Sequence, residues 1–170
     1  MLRTGLTCGW SVALLTVLVG LLPAEVGARK AKVEEPIAVI VHERVAVDDL
    51  SLPELRRIFL GERRAWVSDR MITLLTPPRD SPERKVLLND ILGRRSEDQY
   101  QHHWFNKLLD DGTQVTPKIT GSPEITAGLV REIPGAIALI RLSRVPRGVK
   151  VLRIDGKRPD EAGYPLRTSG

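Results

Sequence analysis

Two segments of the sequence place hydroxyl and guanidinium groups at the predicted start of a helix. In the first segment, four such side chains follow an apolar run at residues 71–75: Thr76, Arg79, Ser81 and Arg84. The N–H groups in the first turn of a helix lack partners within the helix and carry partial positive charge, and a guanidinium group matches the geometry of an oxyanion. One interpretation is therefore an oxyanion site formed by these side chains and the first-turn N–H groups, assisted by Ser122 at the second helix start.

A simpler interpretation assigns the two serines to helix capping. Ser81 and Ser122 each precede a proline. Serine accepts a hydrogen bond from a first-turn N–H, and proline is well tolerated at the first helical position. Capping alone accounts for both serines, so the sequence is compatible with an oxyanion site and with a purely structural role.

Other catalytic or metal-binding arrangements are absent from the sequence. His102 and His103 are adjacent on a predicted helix and point about 100° apart, and His42 stands alone, so the histidines predict no metal site. There is no Gly-x-Ser-x-Gly motif and no glycine-rich nucleotide loop, and the single cysteine, Cys8, lies in the N-terminal segment. We therefore predict a protein that is not an enzyme and needs no cofactor.

Alternating strands and helices are predicted to position these side chains. Residues 37–41 form a continuous apolar run typical of a strand buried on both faces, and Ser51 with Glu54 forms a capping box before a helix. Further strands are predicted at residues 71–75, 136–140 and 149–154, and further helices begin at Ser81, Ser96 and Ser122. This alternation predicts an α/β fold with a mostly parallel mixed sheet and helices on both faces.

Three strings of the sequence resemble, in order and spacing, the second half of periplasmic phosphate-binding proteins of ABC transporters. They are IAVIVHERVAVDDLSLPELRRIFLGERRAW, DSPERKVLLNDILG and GSPEITAGLVREIPGAIALI. The strongest marks are Gly61 at a helix end with Trp66 shortly after, and Pro134-Gly135 between a helix and a strand. The resemblance implies one lobe of the type II periplasmic-binding-protein fold, with inorganic phosphate or another oxyanion as ligand and a transporter membrane component as partner.

The ligand loop is where the sequence departs from this family. The family pattern is Arg, two residues, then Gly-Ser-Gly-Thr; here the arginine position falls on Pro77 and the last three positions on Ser81, Pro82 and Glu83. Pro82 has no N–H to donate, and Glu83 would repel an anion, although neighbouring arginines can compensate. A second hypothesis follows, in which the pocket has degenerated and the protein is an envelope module acting through protein–protein contact, for example with a sensor.

The N-terminus has the features of an export signal. Arg3 precedes an apolar run at residues 12–22, and small residues for cleavage follow at Ala24 and Ala28. We predict four regions: a signal peptide at 1–28, a polar linker at 29–36, a periplasmic-binding-protein-like domain at 37–155 and a flexible tail at 156–170. Cleavage after either alanine gives a periplasmic or secreted protein.

Two features of the sequence limit the partners that we predict: the distribution of its basic residues, and the lack of a segment that resembles the N-terminal lobe of the family. Basic residues are concentrated in the last thirty positions but alternate with apolar ones as on a solvated strand, and aromatic residues are scarce, so we predict no nucleic-acid binding. The N-terminal lobe of the family has no counterpart before Ile37. A complete two-lobed cleft would therefore need another chain or a homodimer.

Overall fold

Strands and helices alternate along residues 34–111 and 116–168, the part of the chain that the computed structural model describes. The strands of this part are β1 (Ile37–Val41), β2 (Asp49–Leu50), β3 (Thr73–Thr76), β4 (Lys118–Ile119), β5 (Ala136–Arg141), β6 (Lys150–Val151) and β7 (Arg153–Ile154). The helices are α1 (Leu52–Phe59), α2 (Pro82–Val86), α3 (Glu97–Asp111) and α4 (Pro123–Glu132). A π-helical turn, Leu87–Ile91, continues α2, and a 3₁₀ turn, Leu142–Arg144, follows β5.

The main sheet has five strands in the order β4-β3-β5-β1-β6. β3 pairs in parallel with β4 and β5, whereas β1 is antiparallel to β5 and β6, with Ile37 opposite Arg141 and Val41 opposite Ile137. β2 and β7 form a separate parallel pair. The predicted class, an α/β fold with a mixed sheet, is confirmed.

Alternate residues of β1 serve the two faces of the sheet, and all five are buried. One set packs in the larger core, with residues of α1, the π-helical turn and α3: Ile37, Val39 and Val41. The other set packs in the smaller core, with residues of α4: Ala38 and Ile40. Both faces of the sheet are covered at β1, so every residue of this strand must be apolar, as the sequence predicts.

Serine side chains cap the helices at the positions that the sequence predicts. Ser51 Oγ accepts from the Glu54 N–H at 3.3 Å, and the Glu54 carboxylate accepts from the Ser51 N–H at 2.9 Å, which completes a capping box. Ser96 and Gln99 make the same reciprocal pair before α3, at 2.9 and 3.1 Å. These local hydrogen bonds fix where the helices begin and hence where the loops before them lie.

The prediction of a flexible tail from residue 156 onward is wrong for residues 156–168. Tyr164 and Leu166 are buried, and the Tyr164 hydroxyl donates to the carbonyl of Ile37 at 2.9 Å. The Ile37 N–H in turn donates to the carbonyl of Leu166 at 2.9 Å. Glycine, proline and charged residues dominate this segment, so its two apolar side chains give only a weak sequence signal. Their spacing of two is typical of an extended, strand-like segment, which here lies along β1.

The predicted signal peptide and most of the predicted linker lie outside the described residues, as do the last two residues of the predicted tail. Within residues 34–111 and 116–168, no helix combines the length and apolar character needed to cross a membrane.

Leu166→Ala tests whether the C-terminal segment is part of the core. We expect the free energy of unfolding to fall by about 2–5 kcal/mol, because a fully buried leucine leaves a cavity. Leu109→Ala, the same change at a leucine that is 66% exposed, should change it by no more than about 0.5 kcal/mol. Chemical denaturation of both variants measures the difference, and equal small effects would restore the flexible-tail prediction.

Candidate functional site

The candidate site lies where β3 and β4 end side by side. Thr76 is the last residue of β3, is buried, and its hydroxyl donates to the carbonyl of Lys118 at 3.4 Å. Its own carbonyl accepts from the N–H of Thr120 at 3.0 Å and from the Thr120 hydroxyl at 3.2 Å. Because parallel strands end at the same edge of a sheet, the loops before α2 and α4 both begin here.

Ser81 and Ser122 act as helix caps in the structure. Ser81 Oγ accepts from the N–H of Arg84 at 3.1 Å and donates its proton to the carbonyl of Pro78 at 2.8 Å. Ser122 Oγ accepts from the N–H of Ile125 at 3.2 Å. The capping interpretation is therefore confirmed for both serines, and their direct contact with an anion stays a prediction.

The first turn of α2 already holds a carboxylate of the chain itself. Glu83 is only 5% exposed, and its Oε1 accepts from Nε of Arg141, at the end of β5, at 3.0 Å. A negative charge in the first turn interacts favourably with the helix dipole. The Glu83 carboxylate thus already neutralises part of the positive potential that could attract a ligand to the start of α2.

Arg84 is the most buried charged side chain in the described part of the molecule, with 2% of its surface exposed. Its Nε donates to Glu97 Oε2 at 2.9 Å and its Nη2 to Glu97 Oε1 at 2.7 Å, a bidentate pair that joins α2 to α3. The guanidinium carbon lies 4.8 Å from the centre of the Tyr100 ring. The remaining nitrogen, Nη1, is buried and has no hydrogen-bond partner among the described residues.

A cavity of about 180 Å³ lies beside this guanidinium. It is lined by three of the five site residues predicted from the sequence, Thr76, Arg79 and Arg84, and not by Ser81 or Ser122. Trp104 also lines it, and its buried Nε1 likewise has no hydrogen-bond partner among residues 34–111 and 116–168. Two of the residues that line the cavity therefore carry a buried N–H group without an acceptor among the described residues.

Sequence reasoning missed Glu97, Tyr100 and Trp104, which also line this cavity. The four-residue spacing of Tyr100 and Trp104 is typical of the buried face of a helix, but packing and ligand contact give the same spacing. The two rings meet edge to face with centroids 6.4 Å apart. The sequence gives no signal for this role of Glu97, because the helix dipole alone accounts for an acidic residue in the first turn of a helix.

The charge of the cavity at neutral pH follows from the ionisation states of the side chains that line it. The hydrogen bonds from Arg84 hold the pKa of Glu97 below its ordinary value, so Glu97 is ionised. Burial raises the pKa of Tyr100 to about 12, and the neighbouring Trp104 N–H and Arg84 charge offset only part of that rise, so Tyr100 is neutral. Arg79 is half-exposed, with its Nε 3.7 Å from Glu97 Oε1. Two arginines against one glutamate leave one net positive charge.

The described residues contain no group of three or more His, Cys, Asp or Glu side chains that could hold a metal ion. His103 Nε2 lies 2.9 Å from the carbonyl of Leu60, and Nδ1 of His42 accepts from the N–H of Arg44 at 3.0 Å. Both histidines therefore contact backbone groups, His42 within its own turn and His103 across to the end of α1.

The mixed sheet and its flanking helices match part of several solved structures. Solved structures with this fold include an ABC-type phosphate transport receptor from Vibrio cholerae, with a TM-score of 0.64 and 18% identity over 79% of this chain and 54% of that one. PstS from Borrelia burgdorferi gives a TM-score of 0.64 and 13% identity over 80% of this chain and 55% of that one.

In sequence, the chain is 28% identical over 142 residues to the phosphate-binding protein PstS of Bacillus subtilis, covering 77% of this chain and 41% of that protein. No family model matches the chain. The resemblance to periplasmic phosphate-binding proteins is confirmed for one lobe, and the chain spans about half the length of the relatives it matches. The names of the Bacillus subtilis and Vibrio cholerae relatives describe a phosphate-binding protein and a phosphate transport receptor, in agreement with the prediction of a protein that is not an enzyme.

Glu97→Gln tests the buried ion pair through the pH dependence of stability. The pKa of Glu97 in the folded protein lies below its ordinary value of 4.5, so its stabilisation is present above pH 4.5 and is lost as the pH falls through the lower folded-state value. The variant should lose about 2 kcal/mol at pH 7, since Arg84 loses its charged partner, and should lose less additional stability than wild type on acidification.

Glu132→Gln, the same change at an exposed position of α4, provides the control and should behave like wild type. Urea denaturation at several pH values between 3 and 7 measures both effects. Parallel pH profiles for wild type and Glu97→Gln would show that this ion pair does not stabilise the fold.

Proposed function

We propose that the protein is an exported binding protein for a small oxyanion and that Arg84 is its principal anion-binding group. The observation that carries the proposal is the buried Nη1 of Arg84, which has no partner in the described structure and belongs to a side chain that lines a cavity. Buried polar groups in native proteins are almost always hydrogen-bonded, and each exception requires an explanation. An acceptor supplied by a ligand is the explanation that agrees with the binding-protein relatives.

The other predicted site residues have distinct roles in this proposal. Arg79 is exposed at the cavity and would attract an anion from solution, while the hydroxyl of Thr76 forms part of the cavity wall. Ser81 and Ser122 would contribute by fixing the starts of α2 and α4 at the same edge. The ligand would thus be held by a rigid guanidinium rather than by the first turn of a helix.

Inorganic phosphate is the first ligand to test, because the names of the matched relatives describe phosphate binding. In the same proposal the protein is exported by its N-terminal signal, acts in the periplasm or outside the cell, and delivers its ligand to the membrane component of an ABC transporter. A homodimer is one way to provide the opposite wall of the cleft. Analytical ultracentrifugation with and without ligand measures that assembly.

A second candidate function is protein–protein contact by a module whose pocket has degenerated. The observation that favours it is a group of exposed apolar side chains on α3 and β4: Phe105, Leu108, Leu109 and Ile119. Exposed apolar groups on neighbouring elements are typical of interaction surfaces. Binding of a small anion distinguishes the two functions.

The melting temperature of the purified protein, measured against phosphate, sulfate, acetate and butyrate at low salt, tests oxyanion binding. A ligand present at a hundred times its dissociation constant should stabilise the protein by about 2.7 kcal/mol, a shift of several degrees. Arg79→Ala should reduce the shift through loss of a nearby positive charge. Arg158→Ala, the same change at an exposed arginine paired with Asp160 away from the cavity, should not.

The double variant Arg84→Met with Glu97→Gln tests the principal group without leaving an unpaired buried charge. Replacing both partners of a buried ion pair is often nearly neutral for stability. We therefore expect a folded protein with no anion-dependent shift. A flat response of the wild-type protein to every anion would instead favour the protein-contact function.

A further inference from the structure

We infer that the ligand of the Arg84 cavity is a small organic monocarboxylate with an apolar body rather than inorganic phosphate. The inference rests on the proposed function, since it names the class of anion that the same cavity takes. Three independent features support it: the number of free donors, the charge that faces the ligand, and the chemistry of the walls.

The donors that remain match a planar anion with two oxygens. A guanidinium has five N–H bonds, and Glu97 accepts from Nε and from one N–H of Nη2. Two N–H bonds on Nη1 and one on Nη2 therefore remain. One N–H of Nη1 and the N–H of Nη2 point the same way and form a second two-donor edge of the guanidinium group, and the other N–H of Nη1 points toward the Cδ side. The indole N–H of Trp104 lies near Tyr100 but makes no hydrogen bond of normal geometry with a described residue, so it is one further donor for a ligand. A carboxylate presents two oxygens in one plane, whereas phosphate presents four that all need partners.

The charge around the cavity favours a monoanion. Arg84 is neutralised by Glu97, whose carboxylate also lines the cavity, so the net positive charge comes from the half-exposed Arg79. Glu83 and Arg141 neutralise each other nearby. A phosphate dianion would bring two negative charges next to Glu97, and this repulsion grows with the charge of the ligand.

The remaining wall is apolar and small. Trp104, Tyr100, Pro117 and Ile119 contribute to it, and Ile119 is 53% exposed in the structure. The volume of about 180 Å³ is close to that of an engineered protein cavity of about 150 Å³ that accommodates benzene. A ligand with a few carbon atoms can therefore place its carboxylate on Arg84 and its body against Ile119.

Isothermal titration calorimetry with acetate, propionate, butyrate, benzoate, butyramide, inorganic phosphate and sulfate tests the inference. Affinity should rise by about fourfold for each CH₂ group from acetate to butyrate, because each methylene leaves water for the apolar wall. Butyramide has the same body without the charge and should not bind measurably. Phosphate and sulfate should bind more weakly than butyrate.

Two substitutions locate the ligand in this cavity. Trp104→Phe keeps an aromatic ring but removes the N–H, and should weaken butyrate binding by about tenfold. Ile119→Ser should flatten the dependence on chain length. Ile125→Ser, at an isoleucine of similar exposure that does not line the cavity, should preserve it.

The results separate the inference from the proposed function. Phosphate that binds more tightly than butyrate, and that no longer binds the Arg84→Met/Glu97→Gln variant, would retain the proposed function and overturn the monocarboxylate inference. Butyrate binding that neither Trp104→Phe nor Ile119→Ser alters would also overturn it. Failure of every anion to bind would overturn the proposed function itself.

Discussion

The buried ion pair between Arg84 and Glu97 is the interaction on which the candidate site depends. A guanidinium with almost no solvent contact is stable only if a carboxylate balances its charge, and the bidentate bonds from α3 together with the Tyr100 ring provide that environment. The same pair fixes α3 against α2 and thereby forms one wall of the cavity. In the proposed function, one side chain therefore has both a structural and a binding role: Nε and Nη2 of Arg84 bind Glu97, and Nη1 is left for the ligand.

A second ion pair, between Glu83 and Arg141, explains why the start of α2 is not where we place the ligand. In the resembling family a hydroxyl residue follows Ser-Gly at this position, whereas here Glu83 brings its own carboxylate into the first turn. Arg141 at the end of β5 balances that charge. Pro82 also removes one backbone donor. In the proposed function, the free edge of a buried guanidinium therefore binds the anion in place of the backbone N–H groups.

The sequence predicts the parts of the fold that local chemistry determines and misses those that depend on tertiary contact. Ser51 with Glu54, and Ser96 with Gln99, define helix starts within four residues, so no distant partner is needed to recognise them. The burial of Arg84 cannot be read from its neighbours, because arginine is ordinarily exposed and its partner lies on another helix. Leu166 is missed for a related reason: its partner strand, β1, is more than a hundred residues away.

The unpaired donors beside the cavity also affect how strongly a ligand can bind. A buried N–H without an acceptor costs about 1–3 kcal/mol in the free protein, and Arg84 Nη1 and Trp104 Nε1 are both in this condition. A ligand that supplies acceptors recovers this free energy in addition to the new contacts it makes. Because the two donors sit on α2 and α3, which the ion pair with Glu97 already holds in place, little conformational entropy is lost on binding. A cavity with only a few donors can therefore bind a small anion selectively, provided that the anion has few oxygens and leaves none of them unpaired.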